Sequence, residues 1–537
     1  MSSNNVDENI VDVDELFINV TNENKKVIIP KFCAAVFGFL PELTEEEDEL
    51  VDLMNTLPLP YTIINESYYI DKSYRDTYYA YFSNQHFSKK PFSRRLSFVS
   101  GIIKMDDFFS EESTIQENIE KNFMGSCVIN PLQNGAIGRT LFDPRYLIDN
   151  SKKPVYMRLS DFEIHILGKK FTVRAFPFRK QDQETMSCAE VTLLNIFEYF
   201  SNSFSDYRSV VPQEIIYTAQ KHSHERVLPS QGLTAARMSR TLYEFGFSPC
   251  LYDVSSMGDY PDKQKEIKRW IYYYIESGIP LAIVLRPEKS NKVGHAIVCI
   301  GHGKKKGELV KEARRHKWIK WGTDDSFHPI INAADFYDEF VVVDDNSPVY
   351  QVRPFNALTK YDDMVVDSVA VPLYKRMFLG APEAYDTVRT ILAKKDFSVD
   401  LMAEGFLDKG ESIVARLLMT SSHSLKRFRK DSLPVKFSKE VFVNIPMPRF
   451  VWVCELYRED DYNKETPLAF GEIILDATST RNRGALSLIM IRYPGAMKFR
   501  DPYSDVFYIE EVFISEECEP PFNGLFPGFT HNLDEFS

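Results

Sequence analysis

Residues 181–200 read QDQETMSCAEVTLLNIFEYF, a polar stretch that passes directly into a mostly apolar run. The apolar residues of this run cover most sides of a helix, which predicts a buried helix over about 188–200. Cys188 stands at the start of that helix. Because the N-terminal end of a helix carries partial positive charge and free N–H groups, it favours the thiolate form of a cysteine. The stretch therefore predicts a nucleophilic thiol at Cys188.

Two glutamines precede the cysteine, Gln183 and Gln181. A side-chain amide near the nucleophile, together with the backbone N–H of Cys188, would stabilise an oxyanion that develops on a substrate carbonyl. The spacing favours Gln183 for this role. Gln181 stays open, because a loop can absorb a difference of two residues.

A histidine and an acidic pair follow further along the chain. His295 opens the apolar run HAIVCI (295–300), where an imidazole can face a cleft and act first as general base and then as general acid. The run FVVV (340–343) ends in Asp344, Asp345 and Asn346. One of these side chains would hold the imidazole in its working tautomer. Asp344, Asp345 and Asn346 all stay open for this role at this point, because a register error of one residue is easy.

The segments around these residues place helices before strands, an order that indicates an α+β domain. Alternating apolar residues predict a hairpin over 162–176. Helical spacing predicts two further amphipathic helices, and short apolar runs predict three strands. The two helices lie at about 235–245 and 262–277, and the three strands at 281–285, 295–300 and 340–344.

The flanking sequence has a different character on each side. Before about residue 155 it is mixed, and we interpret EEEDEL (45–50) as a solvated helix start and residues 125–144 as short strands and turns. Beyond about residue 365 a helix predicted over 382–395 is followed by β-like runs at 441–446, 450–457, 469–475 and 485–493. We therefore predict three parts, namely an N-terminal α/β accessory region (1–155), a catalytic domain (156–365) and a C-terminal β-rich accessory region (366–537).

Four segments in order resemble the papain-like cysteine peptidases, and among them the bacteriocin-leader (double-glycine) peptidases. They are QDQETMSCAEVTLLNIFEYF, GLTAARMSRTLYEFGF (232–247), ESGIPLAIVL with VGHAIVCIGHG (276–303), and FVVVDDNSP (340–348). The resemblance covers roughly residues 170–355. It implies a papain-like core of helices followed by an antiparallel sheet. It also implies Cys188 as nucleophile, His295 as base, Asp345 as its orienting acid and Gln183 as oxyanion donor, with no metal and no organic cofactor.

The sequence departs from the family pattern in two places. Ala189 follows the cysteine where the family has glycine, a small change that should leave the helix start intact. The segment between His295 and Asp345 is much longer than the family's short hairpin and includes a basic insertion at 304–320. We interpret this insertion as a lid, an exosite for an acidic partner or a solvated surface segment.

This combination predicts a cysteine hydrolase, and the resemblance specifies a peptidase that acts on a protein or peptide. The same groups also serve a Cys-dependent acyltransferase or deamidase, since only the acceptor changes. An inactive binding scaffold on the same fold is the alternative from another class. The size of the flanking regions leaves room for a regulatory partner that recognises or restrains the site.

Composition excludes several other classes. The 537-residue chain carries a net charge of -13 and has a pI of about 5.4, which argues against nucleic-acid binding as its main role. Its seven cysteines contain no CxxC pair, so a disulfide scaffold and a CxxC zinc module are excluded. Apolar runs are too short to span a bilayer and the first residues do not form a signal peptide, so we expect no membrane insertion and a cytoplasmic location.

Overall fold

The computed structural model describes most of the chain in seventeen segments. These are residues 14–38, 45–86, 89–148, 154–221, 228–230, 232–258, 260–289, 294–305, 329–393, 407, 411–433, 436–480, 486–494, 496–500, 509–513, 521–525 and 532–536. Most of the basic insertion proposed at 304–320 and the first thirteen residues lie outside them. Within these segments, none of the helices combines the length and the apolar composition that crossing a membrane requires.

The N-terminal region is built on a five-stranded antiparallel sheet in the order β1-β2-β3-β4-β5, with helices packed beside it. This confirms the mixed character expected before residue 155. Its elements are β1 (Phe17–Val20), α1 (Lys25–Val36), α2 (Glu45–Thr56), β2 (Tyr61–Tyr69), α3 (Lys72–Ala80), β3 (Ser93–Ser100), α4 (Met105–Phe109), α5 (Ser113–Lys121), β4 (Phe123–Ile129) and β5 (Ile137–Phe142).

The acidic start of α2 is only in part the solvated surface that the sequence suggested, since Glu45 and Asp48 are exposed. Glu46 and Glu47 are both buried. The Glu46 carboxylate accepts the backbone N–H of Gly135 at 2.8 Å and that of Ile137 at 2.7 Å. An unpaired buried N–H is unfavourable, so this carboxylate fixes the loop between β4 and β5. The acidic run in the sequence does not indicate which of its residues is buried.

The central region contains helices followed by an antiparallel sheet, which confirms the α+β class. The sheet has the order β14-β13-β11-β10-β15-β9, and β6 joins it beside β11. The elements are β6 (Val155–Met157), the hairpin β7 (Ser160–Ile166) and β8 (Lys169–Ala175), α6 (Cys188–Ser203), α7 (Pro212–Lys221), α8 (Ala235–Glu244), β9 (Cys250–Asp253), α9 (Lys263–Glu276), β10 (Leu281–Pro287), β11 (His295–His302), β12 (Ile330–Asn332), β13 (Glu339–Val343), β14 (Gln351–Pro354) and β15 (Met364–Val371).

Helix α6 is the buried helix that the sequence predicted. Its apolar side chains, among them Leu193 and Ile196, are fully buried. They share a hydrophobic core with Ala296, Val298 and Ile300, which are alternate residues of β11. Because alternate residues of a strand point to one face, this packing sets α6 against the strand that begins at His295.

The C-terminal region is a second sheet, in the order β12-β16-β17-β19-β20-β21-β22. The expected strand at 441–446 is wrong, because Ile445 continues a helical ladder by donating its N–H to Val441. A short apolar run fits either a strand or a helix, and here the residues form a helix. The elements are α10 (Ala381–Leu392), β16 (Ile413–Ser421), α11 (Ser422–Ser432), α12 (Lys436–Asn444), β17 (Phe450–Arg458), α13 (Glu459–Tyr462), β18 (Leu468–Ala469), β19 (Gly471–Asp476), β20 (Leu488–Tyr493), β21 (Ala496–Arg500), β22 (Ile509–Phe513), β23 (Phe522–Asn523) and β24 (Asp534–Phe536).

The central and C-terminal sheets exchange strands. The boundary that the sequence suggests at residue 365 falls inside β15, a strand of the central sheet, so the central sheet extends to Val371. Strand β12 belongs to the C-terminal sheet, where it pairs in parallel with β16. Strand β24 pairs with β6 and so returns to the central sheet. The two regions are therefore interleaved along the chain.

A buried, charge-balanced network joins the C-terminal sheet to helix α9 of the central region. Its six members are fully buried or nearly so, namely Arg416, Arg429, Arg492, Glu276, Glu455 and Glu472. Glu455 accepts from Arg416 at 2.9 Å and from Arg429 at 2.7 Å. Arg416 also reaches Glu276, the last residue of α9, at 2.8 Å. Because a buried charge is tolerated only when it is paired, each member depends on the others.

We expect Glu455→Gln to lower the free energy of unfolding by about 3–5 kcal/mol, since it leaves two buried guanidinium groups without their shared carboxylate. Urea denaturation monitored by fluorescence measures the change. Asp461→Asn is the matched control, because it removes a carboxylate paired with an exposed lysine, Lys464, at 2.6 Å. That loss should stay below about 1 kcal/mol. Equal effects of the two substitutions would contradict the role of the network.

Candidate active site

Cys188 is the first residue of α6, and its position is fixed by a cap at the helix start. Glu190 accepts the backbone N–H of Ser187 at 3.1 Å and also the Ser187 hydroxyl. The other oxygen of Glu190 accepts the hydroxyl of Ser230 at 2.8 Å. This reciprocal arrangement of N-cap serine and glutamate at N3 defines where the helix begins. The thiol of Cys188 is half-buried at that end.

The loop before Cys188 is held by one buried carboxylate. Asp182 accepts the backbone N–H groups of Glu184, Thr185 and Met186 at 3.0, 2.7 and 2.8 Å. Gly135 of the N-terminal region packs against this loop so closely that a Cβ there would lie 2.8 Å from the Cα of Asp182. The N-terminal region therefore shapes the approach to the nucleophile.

The two candidate glutamines lie in different surroundings. Gln183 is exposed and has a left-handed backbone, with φ of 59°. Gln181 is half-buried, and its Nε2 donates to Oδ1 of Asn346 at 3.2 Å. The structure thus brings Gln181, rather than the favoured Gln183, to the residues that follow β13. The turn that Asp182 imposes accounts for this exchange, because it directs residue 183 outward.

His295 is the first residue of β11 and is 6% exposed. A Cβ at Gly294 would lie 2.7 Å from the carbonyl oxygen of Leu285, so the residue before the histidine has to be small where the strands meet. The Cys188 thiol lies within hydrogen-bonding reach of the imidazole. The end of a helix and the start of a strand therefore meet at the predicted pair.

Asp344 occupies the position expected for Asp345. Its Oδ1 lies 2.7 Å from Nε2 of His295, whereas Oδ1 of Asp345 lies 3.7 Å away. The carboxylate of Asp344 also accepts the backbone N–H of Asn346 at 3.0 Å and the hydroxyls of Ser347 and Thr359 at 3.2 and 2.9 Å. The assignment of the orienting acid therefore moves by one residue to Asp344.

Hydrogen bonding sets the direction in which the pKa values of His295 and Asp344 are shifted. Burial lowers the pKa of His295, but the hydrogen bonds to Asp344 and Cys188 outweigh it and raise the pKa to about 10. Burial alone would raise the pKa of Asp344, yet the hydrogen bond to His295 leads a set of contacts that hold the pKa below its ordinary value. Since Asp344 occupies Nε2, the other ring nitrogen is the one left for the thiol.

Asp345 has a separate environment. It is 5% exposed, and its Oδ1 accepts from Nδ2 of Asn346 at 3.2 Å. Its Oδ2 is buried and has no hydrogen-bond partner among the described residues. Burial, with the nearby charge of Asp344, raises the pKa of Asp345 to about 7. The imidazole ring also meets the edge of Tyr361, at 5.7 Å between ring centroids.

The three groups His295, Asp344 and Asp345 also form a candidate cation cluster. Among the described residues, their potential ligand atoms lie within 4.8 Å of one another. The 2.7 Å hydrogen bond between Asp344 and His295 uses one potential ligand atom from each. A cation would have to displace that bond, so the geometry suits a catalytic pair better than a metal centre.

Sequence reasoning missed two residues that build the site. Asp182 stands between the two weighed glutamines, and an acid that close to several free N–H groups is typical of a turn that caps its own backbone. Gly135 follows Asn134, and this Asn-Gly pair indicates a tight turn. Neither signal revealed that the two segments touch.

We expect Asp345→Asn and Asp344→Asn to change stability in opposite directions at pH 8. The raised pKa of Asp345 means that the folded state holds this proton more tightly than the unfolded chain between about pH 4 and pH 7. The stability of the native protein relative to Asp345→Asn should therefore fall over that range, by on the order of a few kcal/mol, and level off above it. Asp344, whose pKa is lowered, contributes stability at neutral pH that is lost in acid.

Urea denaturation at pH 4.5, 6 and 8 measures both effects. Asp344→Asn should destabilise the protein at all three pH values, because the lowered pKa of Asp344 keeps its carboxylate ionised down to pH 4.5. A pH-independent difference between native protein and Asp345→Asn would contradict the assignment of Asp345 as the buried acid with the raised pKa.

Comparison with known proteins adds no relative. No family model matches the chain, and no curated protein matches its sequence. The resemblance to papain-like peptidases therefore remains a prediction, carried by the quoted segments and by the arrangement of Cys188, His295 and Asp344.

Proposed function

We propose that the protein is a cysteine peptidase that acts through Cys188, His295 and Asp344. One observation carries this proposal: a half-buried thiol at a helix N-terminus lies within reach of an imidazole whose Nε2 is 2.7 Å from a buried carboxylate. Nucleophile, base and orienting acid in this relation are the groups that acyl transfer requires.

The proposed reaction runs in two stages. The Cys188 thiolate attacks the carbonyl carbon of a peptide bond, and the His295 imidazolium donates its proton to the leaving amine as the C–N bond breaks. The neutral imidazole then takes a proton from water, whose oxygen attacks the thioester and releases the acid and the thiol. Asp344 keeps the ring in position in both stages.

The oxyanion of each tetrahedral intermediate needs donors near the sulfur. The backbone N–H of Cys188 at the start of α6 is one, and the helix end adds partial positive charge. The Gln181 side chain is the better placed glutamine, because it contacts the residues that follow β13. We therefore assign the second donor to Gln181 rather than to Gln183.

The surrounding regions support control of this site by the rest of the chain. Lys180, directly before Gln181, donates to Glu49 of α2 at 2.6 Å. Movement of α2 would act on the catalytic loop through this contact. It would also act through Gly135, whose N–H donates to Glu46 of α2. We propose that a regulatory partner of the N-terminal region would use this route. A thiol nucleophile further suits a reducing compartment such as the cytoplasm.

We expect iodoacetamide at pH 6 to alkylate Cys188 at least about 10-fold faster than Cys250, which is the other half-buried described cysteine. Peptide mass mapping of the adducts measures the two rates. His295→Ala should remove the difference, because it removes the cation that stabilises the thiolate. Faster labelling of Cys250, or a rate at Cys188 that ignores His295→Ala, would contradict the proposal.

The reaction type is tested with a denatured protein mixture as substrate. A peptidase produces new N-termini that are absent when Cys188→Ala is used. A deamidase instead converts side-chain amides to carboxylates, and an acyltransferase forms new amide links without new N-termini. Sites that are identical for native protein and Cys188→Ala would support the inactive scaffold.

A further inference from the structure

We propose that Asp345, Asn346 and Gln181 form a chain of hydrogen bonds, here called the relay. The relay turns an N–H of Gln181, rather than its side-chain oxygen, toward the oxyanion hole, and Asn346 is its positioning residue. This inference rests on the proposed function and assigns a task to the second acid of the pair. The task differs from that of Asp344, which already holds the imidazole.

The turn at the end of β13 brings Asn346 to the site. In the antiparallel pairing of β11 with β13, Val298 lies opposite Val343. The strand ends there, and residues 344–347 form a turn in which the N–H of Ser347 donates to the carbonyl oxygen of Asp344 at 3.0 Å. In this turn, Nδ2 of Asn346 lies 3.5 Å from Nε2 of His295. The position of Asn346 beside the base is therefore set by the backbone turn.

Each link of the relay has a defined donor and acceptor. Oδ1 of Asp345 accepts from Nδ2 of Asn346 at 3.2 Å, and Oδ1 of Asn346 accepts from Nε2 of Gln181 at 3.2 Å. At pH 8, above its raised pKa of about 7, the Asp345 carboxylate is ionised and can only accept, so it selects the amide orientation of Asn346 that presents N–H toward it. The oxygen of Asn346 then faces Gln181 and selects its orientation in turn.

The consequence concerns what Gln181 offers to a substrate. A glutamine amide has two N–H donors on one side and an oxygen on the other, and the two are similar in shape. One N–H of Gln181 donates to Asn346, and this bond fixes the rotation of the amide group. The second N–H, on the same nitrogen, is thereby kept toward the substrate, and the side-chain oxygen is kept away from it. Without Asn346, the amide could turn its oxygen toward the developing oxyanion, which would repel it.

The relay also accounts for a buried acid that the triad does not use. Asp345 is 5% exposed and is not at hydrogen-bonding distance from His295. Burying a carboxylate in this way is unfavourable, so a function for it is expected. Orienting two amides is a function that a neutral isostere such as asparagine performs poorly, because it can present either N–H or oxygen.

Two probes of the same sulfur separate this relay from the thiol itself. With p-nitrophenyl acetate, the Cys188 sulfur bonds to the acetyl carbon through a tetrahedral oxyanion, and p-nitrophenolate leaves with the electron pair of the broken C–O bond. With iodoacetamide, the sulfur displaces iodide at a saturated carbon and no oxyanion forms. The ratio of the two rates at Cys188 therefore reports the oxyanion hole alone.

At pH 8 we expect Asn346→Ala to lower the acetylation rate about 10- to 100-fold while alkylation stays within about 3-fold. Gln181→Ala should have the same effect, and the double variant should be no more than about 2-fold worse than either single variant, since both break one relay. Asp345→Asn, which keeps the side-chain shape, should lower the ratio by a smaller factor. Thr359→Val is the matched control, because it contacts Asp344 and should change both rates by the same factor.

Three results would overturn the relay while leaving the proposed function intact. They are acetylation of Asn346→Ala at the native rate, equal losses in both reactions, and multiplying effects of Asn346→Ala and Gln181→Ala. A native protein whose Cys188 reacts with neither probe would instead contradict the proposed function, and the relay with it.

Discussion

The buried carboxylate of Asp344 is the constraint on which the site depends. It receives hydrogen bonds from the imidazole, from one backbone N–H and from two hydroxyls, so its position leaves little freedom to any of them. Such a charge is stable only with its partners in place. The end of β13, the start of β11 and the segment that carries Thr359 must therefore converge before the base has a defined orientation.

The sequence predicts much of this arrangement, because apolar runs mark the helix and the strand that carry the reacting groups. Cys188 and His295 each stand at the start of a buried run, and both runs became the elements predicted. The choice between Asp344 and Asp345 was harder, because FVVVDDN offers two adjacent acids and only the strand's end decides which one faces the ring. The choice between Gln181 and Gln183 depended on a loop whose path is set by Asp182, and no periodicity describes a loop.

Other features are hidden because charged residues look alike in sequence whether they face water or not. Glu46 lies in a run of acids and yet caps the backbone of another segment. Arg416, Glu455 and Glu472 sit on neighbouring strands where solvent-facing charges would be expected, and all three are fully buried. Their burial follows from the pairing of β16, β17 and β19, which a single strand does not reveal.

The return of β24 to the central sheet has a consequence for how the protein is made. Chains emerge from the ribosome from their N-terminus, and domains generally fold as they appear. Here β6 emerges early and gains its β24 neighbour only after the entire C-terminal sheet has been synthesised. One edge of the sheet that carries His295 therefore stays open while the C-terminal sheet is synthesised, and it gains a partner only when the last described strand arrives.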